Sequence, residues 1–291
     1  MTDASLTQAS LDRRQHAYRA DLADSRLRGR VSAAAYVDGR AATVGKTALA
    51  LLRRPSPDAP MDSQLLPGET VQVFDEHAGW AWVQCGHDGY VGYVASCGLE
   101  SGTGKASHRV AVRETVVLSD ADQVCGPLHS LSLGAQVRIS DEGERFHRLA
   151  SGGFVFARHL RSVSTIADDW IAVAEALIGL PYLWGGRGAG GVDCSGLVQI
   201  ALAACGIDCP RDSDQQAAGL GKPVPLDPAE WKRGDAIYVP GHVVLNMGDG
   251  QVVHATGYAW SVMVEPLDRC LARLADQGRS VTSVRRPVRQ T

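Results

Sequence analysis

The sequence predicts an α+β domain at its C-terminal end, preceded by two small all-β barrels and a short arm. Three observations carry this prediction. The first half repeats itself, a glycine-rich stretch at 179–191 runs into an apolar helix, and short alternating strands with turn residues follow residue 235. A chain of 291 residues has room for two or three domains. Its 45% hydrophobic and 21% charged residues fit a fully folded protein rather than a disordered one.

Taken in order, residues 1–30 read as an arm packed onto the first barrel, with Asp24 as a helix cap. Leu65, Gly68, Val71, Val73, Asp75, Glu76 and Trp80 then line up with Leu131, Gly134, Val137, Ile139, Asp141, Glu142 and Phe146, an offset of 66. Each copy alternates apolar and polar residues in short runs between Gly and acidic turns, which predicts barrels over 31–100 and 106–164. The first copy is rich in aromatics (Trp80, Trp82, Tyr90, Tyr93), and alternation puts Trp80 and Trp82 on one face, where they either fill the barrel core or leave at least one at the surface. The second keeps Phe146, Phe154 and Phe156 without a Trp and reads as structural.

The segment 179–191 is too rich in glycine for regular structure, whereas Leu197, Val198, Ile200, Ala201 and Leu202 predict a helix buried on most sides that ends near Gly206. Cys194, in Val192-Asp193-Cys194-Ser195-Gly196-Leu197, therefore starts a helix. There the backbone N–H groups and the macrodipole should lower its thiol pKa and receive an oxyanion. Residues 235–239 read as a strand broken by Gly241, and a hairpin turning at 247–250 should set His242 directly across from His254. This is the pattern of a thiol nucleophile, its base and an orienting residue. The other six cysteines read as buried and inert, and Cys205 and Cys209 lack a second pair to make a metal site.

Residues 166–291 resemble the NlpC family of cell-wall cysteine peptidases, which have a papain-like α+β fold. The likeness lies in Pro-Tyr-Leu-Trp-Gly-Gly at 181–186, Asp-Cys-Ser-Gly at 193–196, Arg-Gly-Asp at 233–235 and the two histidines. The repeat resembles bacterial SH3-like domains. The resemblance implies Cys194 as nucleophile, His242 as base and His254 as the orienting residue. Tyr182 would lie beside the oxyanion, and Tyr182, Asp193, Ser195 and Ser213 would hold the free amine of an N-terminal L-alanine. Tyr90 of the first barrel would contact substrate. On the residues alone, Asp193 and Ser213 serve equally as helix caps. The implied reaction is hydrolysis of the bond between γ-D-glutamate and meso-diaminopimelate or L-Lys in muropeptides, during cell-wall peptide recycling. An endopeptidase on intact wall and a thiol acyltransferase or amidase are the alternatives.

Composition narrows the setting. A net charge of −3 with no basic stripe argues against nucleic acid as a partner. The apolar stretch 171–180 is interrupted by Glu175 and stopped by Pro181, so no membrane span is expected. The first residues have no apolar core of a secretory signal, and seven cysteines fit a reducing compartment, so a cytoplasmic, cofactor-free monomer without a metal is expected.

Overall fold

The computed structural model describes residues 11–102 and 104–289. Strands β1 (Leu22–Asp24) and β2 (Ala35–Val37) pair in parallel, and Asp24 caps a single 3-10 turn by accepting from the Arg26 N–H at 2.9 Å. The arm packs on the strands that follow. Ala17 joins Phe74 and Trp82 in a small buried cluster, and Arg19 lies over the Trp82 ring at 4.3 Å. Trp82 is thus 3% exposed and Trp80 half-buried, and Trp82 packs under the arm rather than in the barrel core: the arm supplies the cover that strand alternation could not show.

The first β-unit contains β3 (Arg40–Val44), β4 (Leu49–Leu52), β5 (Met61–Leu65), β6 (Thr70–His77), β7 (Trp80–Cys85), β8 (Val91–Ala95) and β9 (Leu99–Ser101). They form one seven-stranded sheet in the order β5-β4-β8-β7-β6-β3-β9, closed over Val44, Leu51, Leu65, Val71, Val83 and Val94. The second contains β10 (His108–Val110), β11 (Glu114–Leu118), β12 (Pro127–Ser132), β13 (Gln136–Val137), β14 (Ile139–Asp141), β15 (Phe146–Leu149), β16 (Phe154–Phe156) and β17 (Leu160–Ser162). Its sheets run β12-β11-β16-β15-β14 and β13-β10-β17. That is the strand order of the first unit, with the long β6 replaced by β13 and β14. Gly68 and Gly134, matched in the repeat, both have positive φ (80° and 88°), a backbone state that favours glycine.

The remaining residues build α1 (Trp170–Glu175), β18 (Arg187–Gly188), β19 (Gly191–Val192), α2 (Cys194–Ala204), α3 (Ser213–Gly219), β20 (Lys222–Val224), β21 (Ala236–Val239), β22 (His242–Gly248), β23 (Gln251–Thr256), β24 (Ser261–Pro266), α4 (Leu267–Asp276) and β25 (Ser283–Arg286). Six of the strands form an antiparallel sheet, β20-β25-β21-β22-β23-β24. Helix α2 is buried from Cys194 to Leu202 and packs Leu197, Val198 and Ala201 against Val243, Leu245, Val253 and Ala255. The opposite face carries Val244 and Val252 against Cys270 and Leu274 of α4. Truncating Leu197, fully buried, costs about 2–5 kcal/mol. Within the glycine-rich segment the short strands β18 and β19 pair, a regular element the sequence did not suggest.

Polar contacts, several of them buried, tie the first β-unit and the arm to this domain. Arg187, 3% exposed, pairs with Glu69 at 3.1 Å, and Arg211 Nε donates to Ser63 at 3.0 Å. Gln199 donates to Asp88 at 2.9 Å, and the arm's Arg14 pairs with Asp212 and Asp214, both at 2.8 Å. The glycine-rich loop and the start of α3 are therefore held against β-unit one.

Candidate active site

Cys194 is the first residue of α2, and Asp193 is its cap. Asp193 Oδ1 accepts from the Gly196 N–H at 2.7 Å, Oδ2 accepts from the Gly185 N–H at 2.8 Å, and Arg211 donates to both oxygens at 2.9 and 2.7 Å. Ser195 Oγ accepts from the same guanidinium at 2.9 Å. Asp193 and Ser195 line the cleft, as expected, but their polar atoms are committed to the frame. The expectation that the Asp193 carboxylate stands ready for an ammonium is corrected on that ground.

The thiol is corrected as well. Cys194 is 8% exposed, and burial, with the Asp193 charge adding to it, pushes it up to about 12. The helix start favours an anion, but Asp193 is the anion already placed there. Burial therefore favours the neutral thiol of Cys194. Among the other cysteines, Cys85, Cys205, Cys209 and Cys270 are buried as expected; Cys97 is exposed and Cys125 half-buried.

His242 and His254 lie on β22 and β23 with their rings in contact, Nε2 to Nδ1 at 2.8 Å. They are not directly opposite. The ladder pairs Leu245 with Val253 and slips between Asn246 and Gly248, so its continuation sets Val244 across from His254. Asp249 and Gly250, both at positive φ, make the two-residue turn. With the turn at 249–250 rather than centred on Gly248, and one residue taken up by the slip, the ladder differs from the expected register by two residues, which keeps both rings on one face as diagonal neighbours.

No signal in the sequence points to the next residue. Glu265, on β24, places Oε1 2.9 Å from His254 Nε2 and is itself paired with Arg273. The oxygen lies off the N–H direction, so this is a charge contact rather than a straight hydrogen bond. A bare nitrogen lone pair would be repelled at that distance, so Nε2 of His254 carries the proton. Nδ1 then accepts from His242 Nε2–H, and His242 Nδ1 is left as the basic nitrogen. Burial lowers His242 to about 3 and His254 to about 4, the latter opposed by Glu265. His254, Glu265 and Cys270 come within metal-ligand reach of one another, but the Arg273 guanidinium already balances Glu265.

Two recesses flank the pair. A cleft of about 680 Å³ holds Cys194, Tyr182, Asp193, Ser195, Ser213 and Tyr90, walled by β-unit one and by Arg13, Arg14 and Tyr18 of the arm. Tyr90 donates its hydroxyl to Asp212 Oδ2 at 3.0 Å, and Ser213 opens α3 with no side-chain hydrogen bond among the described residues. On the other side a groove of about 370 Å³ is lined by His242 and α4. Tyr182 borders both, edge-on to Trp260 at 6.1 Å. No helix among the described residues is long and apolar enough to cross a membrane.

Two segments of the chain are similar to known proteins. Residues 179–272 match the NlpC/P60 family and 51–99 the bacterial dipeptidyl-peptidase Sh3 domain. The chain is 44% identical over 111 residues to the peptidoglycan endopeptidase RipB of Mycobacterium tuberculosis, covering 32% of this chain and 45% of RipB. It is 38% identical over 121 residues to a gamma-D-glutamyl-L-lysine dipeptidyl-peptidase of Bacillus subtilis, covering 39% and 38%. The chain thus spans less than half the length of these curated relatives. The crystal structure of an NlpC/P60 family protein from Bacillus cereus shares the fold, with a TM-score of 0.71 at 21% identity over 84% of this chain and 99% of that one. The chain therefore carries an NlpC/P60 family domain, preceded by a bacterial dipeptidyl-peptidase SH3 domain.

Proposed function

We propose that this chain is a cysteine peptidase that hydrolyses the bond between γ-D-glutamate and a diamino acid in muropeptides with a free N-terminal L-alanine. The observation that carries this reading is the walled cleft beside Cys194. β-Unit one and the arm wall this cleft, and we read the walled side as the seat of a short acyl-side peptide end rather than of a continuing chain. The two β-units, sharing one strand order, are read as two SH3-like barrels, the first of which forms this wall. The proposed setting is recycling of wall peptides in a reducing cytoplasm, which the seven unpaired thiols favour.

In the proposed reaction His242 Nδ1 takes the Cys194 proton as sulfur attacks the γ-carbonyl carbon, and the Cys194 N–H with Tyr182 receives the oxyanion. His242 returns the proton to the leaving amine, and water then releases L-Ala-γ-D-Glu from the thioester. His254 holds the tautomer of His242. With Asp193 committed to Arg211, the ammonium of the substrate is assigned to Ser213 and to Asp212, whose Oδ1 carries no hydrogen bond among the described residues. Tyr90 orients that carboxylate.

Incubation with L-Ala-γ-D-Glu-meso-diaminopimelate should release the dipeptide, detected by mass spectrometry. N-acetylation should lower kcat/KM roughly 100-fold, since it removes a charged hydrogen-bond donor. Equal rates on both peptides, or preference for intact peptidoglycan, would identify a wall endopeptidase. Transfer of the dipeptide to an added amine in place of water would identify an acyltransferase.

A further inference from the structure

We propose that the groove beyond His242 is a carboxylate-binding subsite for the departing diamino acid, with Arg279 as its cation. This rests on the peptidase reading above. If the acyl part fills the walled cleft, the amine that receives its proton from His242 leaves past that residue, into the groove lined by Trp184, His242, Tyr258, Gln277 and Arg279.

Two arginines reach this groove and differ in kind. Arg273 is balanced by Glu265 and lies over the Tyr258 ring at 4.3 Å. Arg279 follows α4, and its Nε donates to the Pro240 carbonyl at 2.8 Å. Its two terminal nitrogens meet no acidic side chain among the described residues. Nη2 lies 3.7 Å from where a Cβ on Gly241 would stand, which places it beside His242. Gly241 has φ +69°, so a side chain there is disfavoured and the approach stays open. An anchored, half-buried guanidinium with both terminal nitrogens free suits a carboxylate, which it binds in fork geometry. Trp184 and Tyr258, 62% and 67% exposed, flank the groove and offer apolar walls to a methylene stem.

The placement also bears on the base. Beyond burial and the second histidine, Arg279 is among the charges that hold His242 down. A carboxylate on Arg279 cancels that charge, so substrate binding strengthens the base that must take the thiol proton. The subsite thus favours a diamino acid with a free carboxylate, either the α-carboxylate of a C-terminal residue or the distal carboxylate of meso-diaminopimelate.

The test compares wild type, Arg279→Gln and Arg279→Lys on L-Ala-γ-D-Glu-L-Lys, its C-terminal amide and the meso-diaminopimelate tripeptide. In wild type, removing the carboxylate that binds should lower kcat/KM at least about 10-fold. Loss on the Lys amide identifies the α-carboxylate; a preference for meso-diaminopimelate over Lys identifies the distal one. Arg279→Gln should level the substrates and Arg279→Lys should restore part of the difference. Equal loss in Arg279→Gln on every substrate, or no discrimination in wild type, overturns the subsite. A second measurement separates its failure from failure of the peptidase reading: protection of Cys194 from iodoacetamide by free meso-diaminopimelate, with cadaverine as the carboxylate-free control. Protection by the diacid alone, lost in Arg279→Gln, supports the subsite even if no tripeptide is cleaved. Cleavage without protection or carboxylate preference leaves the peptidase reading standing and removes the subsite.

Discussion

The two faces of the six-stranded sheet are built from the same strands and made for different tasks. On the α2 face Leu197, Val198, Val243, Leu245, Val253 and Ala255 form an uninterrupted apolar layer, with Cys194 at its end. On the α4 face Val244, Val252 and Leu274 give way at the same end to His242, His254, Glu265 and Arg273. Strand alternation separates the two sets. Burial acts on both, raising the thiol and lowering the imidazoles, so it favours the uncharged form of each. In the proposed reaction the thiolate would then form in step with attack, with substrate binding helping to form it.

The largest break in this comparison comes from the α2 face. Cys194→Ala should lower kcat at least roughly 10⁴-fold, because no other thiol reaches the cleft. Its melting temperature should stay near wild type, as Ala is well tolerated at a helix start. Cys205→Ala and Cys209→Ala should keep turnover and lose about 1 kcal/mol of stability. Rate loss in Cys205→Ala comparable to that in Cys194→Ala would overturn the assignment.

The α4 face should break in steps. His242→Ala should be nearly inactive, while His254→Gln should retain measurable activity because an amide still accepts from His242. Glu265→Gln should lower kcat about 10- to 100-fold with little change in KM, since its NH₂ group can turn toward His254 and invert both tautomers. The diagnostic is the double variant. In a His254→Ala background Glu265→Gln should have no further effect on kcat; an undiminished loss there would make Glu265 a packing residue only.

The smallest expected effect is on stability against pH. His242 and His254 titrate at about 3 and 4 when folded, below the value of about 6.5 for a free imidazole. The unfolded chain therefore takes up protons first, and stability present above pH 6.5 is lost as pH falls through the folded values. Each histidine contributes at most about 1.4 kcal/mol per pH unit in that window. Cys194 acts in the opposite direction: its raised pKa favours the folded state until the unfolded thiol ionises, so that stability is lost as pH rises above about 9. Melting temperatures from pH 7 to 4 should fall less steeply in His254→Gln than in wild type; parallel curves would place the buried protons elsewhere.

Much of the fold was legible in the sequence. The repeat predicted two β-units, and they share one strand order down to the paired glycines Gly68 and Gly134. The apolar run after Cys194 predicted a helix start at the thiol, and Gly241 and the turn at 249–250 delimit the histidine strand. What escaped were partners distant in the chain. Arg211 claims Asp193, Glu69 claims Arg187, and Glu265 meets His254 from the neighbouring strand. Each is one of many charged residues, and only chain packing selects which charges meet.

Local identity was readable from the residues alone: which cysteine starts a helix, which histidines share a hairpin, and which segments repeat. These follow from periodicity, turn chemistry and capping, which act within a few residues. Tertiary structure alone decided the charge state and surroundings of those groups. Burial at the junction of α2, the sheet and β-unit one raises the thiol, and the two-residue register shift makes the histidines diagonal. The arm and Tyr90 close one side of the cleft while Arg279 lies at the other. Desolvation and long-range charge depend on every atom that excludes water from a point, and no local run of residues records that sum.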